Sequence, residues 1–265
     1  MSVDPAITER VRSVPVYVAP RLHEIPGGGS LLYADVPMWK RRVKRAVDVV
    51  SAVVALSCFA ALLPFIALAI RLDSPGPIFY SQVRVGINRR SRDRRRRLGN
   101  PAGPERRSPS SGHERRRVVA PGRLFTIYKL RSMVVDAESH GARWAQKGDA
   151  RITRVGQFLR KTRLDEVPQF WNVLRGEMAL VGPRPERPPF IEMLSDEVPG
   201  YLDRLRFKPG ITGLAQVELG YDSNVDSVRR KVETDVRYMA DFSLANDFWI
   251  MVRTVRVVLT GHGAH

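Results

Sequence analysis

The chain has 265 residues, 43% of them apolar, enough for one domain with a buried core and appended segments. The net charge is +17, but residues 87–122 hold 12 arginines against three acids, so more than half the surplus sits in one segment and charge does not force a nucleic-acid-binding fold. The single cysteine, Cys58, excludes an intramolecular disulfide and a cysteine-rich zinc site, and the five histidines show no metal-ligand spacing.

Residues 1–38 carry Pro15, Pro20, Pro26 and three consecutive glycines, the composition of a mostly disordered lead on the cytosolic side. The apolar run begins too late for a secretory signal. Lys40, Arg41, Arg42, Lys44 and Arg45 then precede residues 49–70, 22 positions without a charge. At about 1.5 Å per residue such a helix could cross the hydrocarbon layer. A soluble helix would show a polar face, and this one shows only Ser51 and Ser57. Residues 39–72 are therefore expected to form a membrane-inserted helix, kinked near Pro64, which removes a backbone hydrogen bond. Both flanks are basic, and lysine and arginine stay cytoplasmic, so a simple span would strand one flank while a re-entrant helix satisfies both. Twenty-two residues is long for a re-entrant piece, and the residues alone leave both geometries open. Asp48 is costly there unless paired, and Lys44, one turn earlier, is the expected partner.

Residues 73–77 have turn chemistry. Residues 78–85 and 124–133 read as strands of a hairpin whose tip carries the insertion 87–122. Proline, glycine, serine and arginine without aromatics predict a disordered insertion. It is either a spacer or an adhesive for anionic lipid head groups, at about 1 kcal/mol per basic residue near the surface. Residues 134–148 form a polar linker. Thr153 is placed to cap a short helix through Arg160. A further helix is expected from about Asp165, with Pro168 in its first turn and Gly176 at its end. Residues 181–185 read as a rigid loop pointing Arg184. Residues 188–205 read as a helix broken at Pro199 and Gly200, and residues 214–217 as a short strand. Val228, Val232, Val236 and Met239 mark an amphipathic helix, and Leu244, Phe248, Met251, Val255 and Val258 another. Trp249 with Arg253 and Arg256 suits either an interfacial helix on a bilayer or a cap on the soluble core.

The centre of the chain is residues 151–185. Asp165 and Glu166 stand there among Arg151, Arg154, Arg160, Lys161, Arg163, Arg175 and Arg184. Mixed charge is commonly a solvated helix face with salt bridges. Here the acids adjoin Leu164, Val167, Phe170 and Trp171, which argues against full exposure. Two carboxylates in a basic cluster point to a site that holds an anion such as phosphate and lets a carboxylate act on it. The first turn of a helix adds unpaired N–H groups and a positive dipole end.

Seven stretches carry a resemblance: YKLRSM at 128–133, DARITRVG at 149–156, LRKT at 159–162, LDEVPQ at 164–169, WNVLRG at 171–176, VGPRP at 181–185 and PGITGLAQV at 209–217. In this order and spacing they resemble the bacterial sugar transferases, the monotopic polyprenyl-phosphate phosphoglycosyl transferases, over roughly residues 40–260 apart from the insertion. The resemblance implies an α+β, membrane-associated (monotopic) domain with a re-entrant N-terminal helix, a small antiparallel β-hairpin or sheet and several amphipathic helices. Residues 73–265 would form a catalytic domain facing the cytoplasm at a bacterial inner (cytoplasmic) membrane.

It also implies the reaction. A hexose-1-phosphate passes from a nucleotide sugar, usually a uridine diphosphate sugar, to polyprenyl (undecaprenyl) phosphate, as the first membrane step of exopolysaccharide, capsule or glycan assembly. Asp165 would be the nucleophile and carry a covalent phospho-sugar; Glu166 would be the Mg²⁺ ligand. Taken without the family, the two roles are interchangeable. Arg160 would clamp phosphate, with Lys129, Arg131, Arg184 and Arg84 as further phosphate or nucleotide contacts. The partners would be donor, lipid acceptor and membrane, the last through anionic lipids at 87–122, with no specific nucleic acid; an oligomer is compatible. Three departures stand out: the insertion itself, Glu218-Leu219-Gly220 where the family often has Gly-Arg, and Arg163 where it often has a small polar residue. The competing readings are a membrane-anchored basic protein that binds an anionic polymer or nucleic acid, and a single-span anchor with an extracytoplasmic domain.

Overall fold

The computed structural model describes residue 33 and residues 36–87, 122–139, 148–219 and 225–260. Most of the expected lead and nearly all of the arginine-rich insertion lie outside the described residues. Four residues of the lead, Tyr33, Val36, Pro37 and Met38, lie inside them. Val36 is buried in the core, and Tyr33 packs edge-on against Phe207 with ring centroids 5.5 Å apart.

Helix α1, Met38–Asp73, runs unbroken through Pro64. Among the described residues it is the one helix long and apolar enough to cross a membrane. Both of its ends are fastened to the rest of the chain. Near the N-terminal end, Lys44 pairs with Asp247, and Asp48 accepts the Leu180 N–H at 3.0 Å. Arg45 donates to the carbonyls of Val173 and Leu174 at 2.6 and 2.8 Å. The expected Lys44–Asp48 pair is present at 3.9 Å, but Lys44 sits closer to Asp247. Near the C-terminal end, Arg131 donates to the carbonyls of Ile70, Ser74 and Pro75, and Ile70 O also accepts the Ser74 N–H at 3.1 Å. Asp73 accepts the Val155 N–H at 2.8 Å. Between these ties Ala52 packs with Phe125, Ile127, Val173 and Met178, while Phe59 and Ile70 pack with Leu130 and Leu159. Val50, Val54, Leu62, Phe65, Leu68 and Leu72 remain exposed.

Strands β1 (Phe79–Val85) and β2 (Leu124–Leu130) form the expected antiparallel hairpin, Phe79 opposite Leu130 and Val85 opposite Leu124. The second strand stops short of 133, where Met133 instead bridges to Ile152. Gly86 N–H donates to Arg123 O at 2.8 Å, so the chain enters and leaves the insertion side by side.

Helix α2, Arg154–Lys161, is capped as expected: Thr153 Oγ1 accepts the Gly156 N–H at 3.0 Å. The single helix expected from Asp165 is instead two pieces, a 3₁₀ helix at Leu164–Gln169 and α3 at Phe170–Leu174. Arg163 precedes them in the left-handed region at φ 58°, and Pro168 has no N–H to give an α-helical ladder, so the chain takes the tighter turn first. Gly176, at φ 75°, ends the unit.

Strands β3 (Ala179–Val181) and β4 (Gly210–Thr212) pair in parallel. The strand expected at 214–217 is a helix, α4, Leu214–Glu218, which starts after the extended residue Gly213; strand pairing falls on the three residues before it. Helix α5 (Pro188–Glu197) begins on a proline and is separated at Gly200 from a 3₁₀ helix, Tyr201–Arg206. Helix α6 (Val225–Ala240) buries Val228, Val232, Val236 and Met239 in a core with Tyr201, Leu205 and Phe207, the stripe the spacing predicts. Helix α7 (Leu244–Thr260) is the second expected amphipathic helix. It buries Asp247 and Ile250 and leaves Phe248 and Val255 outside with Trp249, Val252 and Leu259, because Tyr238 and Lys44 draw Asp247 inward.

Gly182 lies where β3 enters the loop to Arg184, and a Cβ there would strike the Lys208 carbonyl oxygen and the Gly210 backbone. Gly182→Ala is expected to destabilise the protein by about 1–3 kcal/mol, read as a lower midpoint in chemical denaturation.

Candidate active site

The 3₁₀ helix turns Asp165 and Glu166 inward together, leaving them 6% and 8% exposed. They line a cleft of about 370 Å³ between the β1–β2 hairpin, the 183–187 loop and the first turn of α5. Asp165, Glu166, Arg160, Lys129, Arg131, Arg184 and Arg84 all line it. Seven residues spread over 101 positions of sequence thus meet in one place.

The two carboxylates differ sharply. Glu166 Oε1 receives Lys129 Nζ and Arg184 Nη2, each at 2.7 Å. Burial works against its charge, but Arg184 and Lys129 outweigh burial and hold this carboxyl well below the usual range. Asp165 Oδ1 is buried without a hydrogen-bond partner among the described residues. Burial pushes the Asp165 carboxyl up to about 6, helped by the neighbouring Glu166 charge and opposed by Lys129, Arg160 and Arg163. One carboxylate is firmly tied, and the other keeps one oxygen without a hydrogen bond among the described residues.

The other basic residues sort themselves by partner. Arg160 and Arg163 line the cleft and act on Asp165. Arg131 lines it too, but its guanidinium is spent on the carbonyls at the end of α1, a structural tie where the resemblance implies a phosphate contact. Arg84 donates to Pro185 O at 3.0 Å and pairs with Glu186 at 3.4 Å. Of the basic cluster seen in the sequence, Arg151 also reaches the cleft wall, held by Asp149 at 2.6 Å, while Arg154, Lys161 and Arg175 are exposed. Gln82, Arg187, Gln216 and Lys231 line the cleft without having been singled out. Gln216 belongs to the PGITGLAQV stretch, a signal that could have flagged it; Lys231 sits on an ordinary amphipathic helix and gave none.

Among the described residues no three His, Cys, Asp or Glu side chains converge as a metal cage. Of the acids that line the cleft, Glu138 and Glu186 pair with Arg187 and Arg84, and the dyad offers two adjacent carboxylates. That donor set fits Mg²⁺, which commonly takes one or two carboxylates and completes its shell with phosphate and water.

A buried acid pair thus lies in a cleft lined by arginines, on a chain whose long apolar helix is tied to the elements around it. The chain belongs to the bacterial sugar transferase family, whose model matches residues 39–93 and 108–261. The unmatched stretch, 94–107, falls within the insertion. The chain is 40% identical over 236 residues to an Aeromonas hydrophila UDP-N-acetylgalactosamine-undecaprenyl-phosphate N-acetylgalactosaminephosphotransferase, covering 89% of this chain and 47% of that one. It is 37% identical over 224 residues to the Caulobacter vibrioides UDP-glucose:undecaprenyl-phosphate glucose-1-phosphate transferase, covering 84% of this chain and 72% of that one. It is 35% identical over 224 residues to the Rhizobium leguminosarum exopolysaccharide production protein PSS, covering 82% and 96%. The chain thus spans under half of the Aeromonas relative and most of the other two.

Asp165 is a group whose folded pKa is raised from 3.8 to about 6. Its ionised form is disfavoured by the fold, so this stabilising contribution is complete below pH 3.8 and lost as pH rises through about 6. Asp165→Asn is therefore expected to raise stability at pH 7.5 by on the order of 3 kcal/mol, with the gain vanishing toward pH 4. Thermal melts without added divalent cations check this.

Proposed function

We propose that the chain transfers a hexose-1-phosphate from a uridine diphosphate sugar to undecaprenyl phosphate at the cytoplasmic face of a bacterial inner membrane. The observation that carries this reading is the division of labour in the dyad. A bare, buried carboxylate oxygen stands beside a second carboxylate held ionised by two cations, in a cleft lined by arginines. The names of the relatives supply the donor and acceptor classes.

Asp165 is the nucleophile. One of its oxygens attacks the phosphorus that bears the sugar; the bond from that phosphorus to the bridging oxygen breaks, and the nucleoside monophosphate leaves with that oxygen. An oxygen of the lipid phosphate then attacks the same phosphorus. The Asp165–phosphorus bond breaks, giving the lipid diphospho-sugar and restoring the carboxylate. The unpartnered Oδ1 and the raised pKa of Asp165 support its assignment over Glu166, whose Oε1 is occupied. Glu166 would hold Mg²⁺ together with the donor's phosphates, and the ion supplies charge neutralisation of the diphosphate. Arg160 meets the phosphoryl oxygens, and Lys129 and Arg184 keep Glu166 ionised.

Incubation with a matching uridine diphosphate sugar and Mg²⁺, without lipid, is expected to release uridine monophosphate and leave one phospho-sugar on the protein by intact mass. Asp165→Asn should give neither. Steady-state turnover should rise with pH through about 6, as Asp165 loses its proton. Turnover undiminished in Asp165→Asn would end the covalent reading.

The two ties on α1 support a monotopic arrangement in which both of its ends stay on the cytoplasmic side. In inside-out vesicles, single cysteines at Trp39→Cys and Leu72→Cys in a Cys58→Ser background should both react with an impermeant maleimide. In right-side-out vesicles neither should. Labelling of the two from opposite sides would establish a span instead.

A further inference from the structure

Arg204 and Asp235 form an ion pair, Nη2 to Oδ2 at 2.8 Å, with side chains 7% and 2% exposed. One stands on the 3₁₀ helix Tyr201–Arg206 and the other on α6, and neither lines the cleft that holds the dyad. Two apolar side chains of similar size would commonly fill such a place at no loss of stability, because burying both charges is expensive. The pair therefore invites a role other than packing.

Its surroundings supply one. Pro183 and Pro185 have no N–H groups, so the loop that aims Arg184 is held largely by its carbonyls. Four consecutive carbonyls accept from four separate donors. Gly210 N–H reaches Pro183 O at 3.0 Å, Arg204 Nη2 reaches Arg184 O at 3.2 Å, Arg84 Nη1 reaches Pro185 O at 3.0 Å, and Val85 N–H reaches Glu186 O at 2.9 Å. Arg204 holds the residue whose own guanidinium binds Glu166. Asp235 fixes the Arg204 fork, and Tyr201 Oη accepts its other arm at 3.3 Å.

We propose that Arg204, oriented by Asp235, is a positioning residue that sets the backbone of Arg184 and thereby the contact of Arg184 with Glu166. This rests on the reading of the Glu166–Arg184 contact as part of the reacting centre. A lysine at 204 keeps a charge for Asp235 but lacks the planar guanidinium whose Nη2 meets both Asp235 and Arg184 O while Nη1 is held by Tyr201 Oη.

The test uses the full chain in lipid nanodiscs, with Arg204→Lys, Arg184→Ala and the double variant. Arg204→Lys is expected to lower kcat by on the order of 100-fold, the scale of a misplaced reacting group. In the Arg184→Ala background the same change should cost little more, because both act through one side chain. Hydrogen exchange at the Arg184 and Glu186 amides should quicken in Arg204→Lys, while that of α6 stays as in the wild type. Additive losses in the cycle, or wild-type exchange in the loop, would overturn the proposal. If Arg204→Lys does not fold, Asp235→Asn, which keeps the shape and one acceptor oxygen, carries the same expectations. Failure of the transferase reading is a separate outcome: wild type would then turn over no donor, and loop exchange would still decide whether Arg204 positions Arg184.

Discussion

Two cations share one oxygen of Glu166, and most of the fold can be read as the means of bringing them there. Lys129 comes from β2 and Arg184 from the loop after β3, while the acid itself sits on a 3₁₀ turn between α2 and α3. A carboxylate this buried would ordinarily take up a proton, and the two contacts keep it charged. Its neighbour has no such tie and rises to about 6. Adjacent residues of one turn thus acquire different chemistry from what each side chain meets.

The long apolar helix is coupled to that centre at both ends. At its C-terminal end it is held by Arg131, two residues on from Lys129 and just past the end of β2. At its N-terminal end Arg45 holds the last carbonyls of α3, which continues directly from the turn carrying the dyad. Some of the elements that grip α1 therefore also assemble the site. In the proposed reaction, an acceptor dissolved in lipid and a donor dissolved in water need a reaction centre held at a set depth, and a helix fastened at two points to the elements around the dyad would provide it.

The loop from Gly182 to Glu186 illustrates how a short irregular segment is made rigid. Its prolines remove donors, Gly182 admits the close approach of the 208–210 backbone, and successive carbonyls are each held by a different partner. Burying Arg204 with Asp235 adds desolvation cost, which makes sense if rigidity at Arg184 is what the arrangement secures.

Local chemistry by itself determined much of this protein. The hairpin, the Thr153 cap, the break at Gly200, the long apolar helix and the α6 stripe all follow from turn residues, capping side chains and hydrophobic spacing, which act over a few residues. The acid pair in its basic surroundings was equally legible as a candidate centre. Tertiary structure alone decided which charges serve it. Arg160, Arg163 and Arg184 face the cleft, Arg154, Lys161 and Arg175 face solvent, and Arg131 is consumed by carbonyls, because a side chain's partner depends on elements far away in sequence. It also placed the strand at 210–212 rather than 214–217 and turned Asp247 inward on α7, since sheet pairing and buried ion pairs are settled by what lies opposite. The difference between Asp165 and Glu166 belongs to the same class: the two acids are equivalent until Lys129 and Arg184 arrive at one of them.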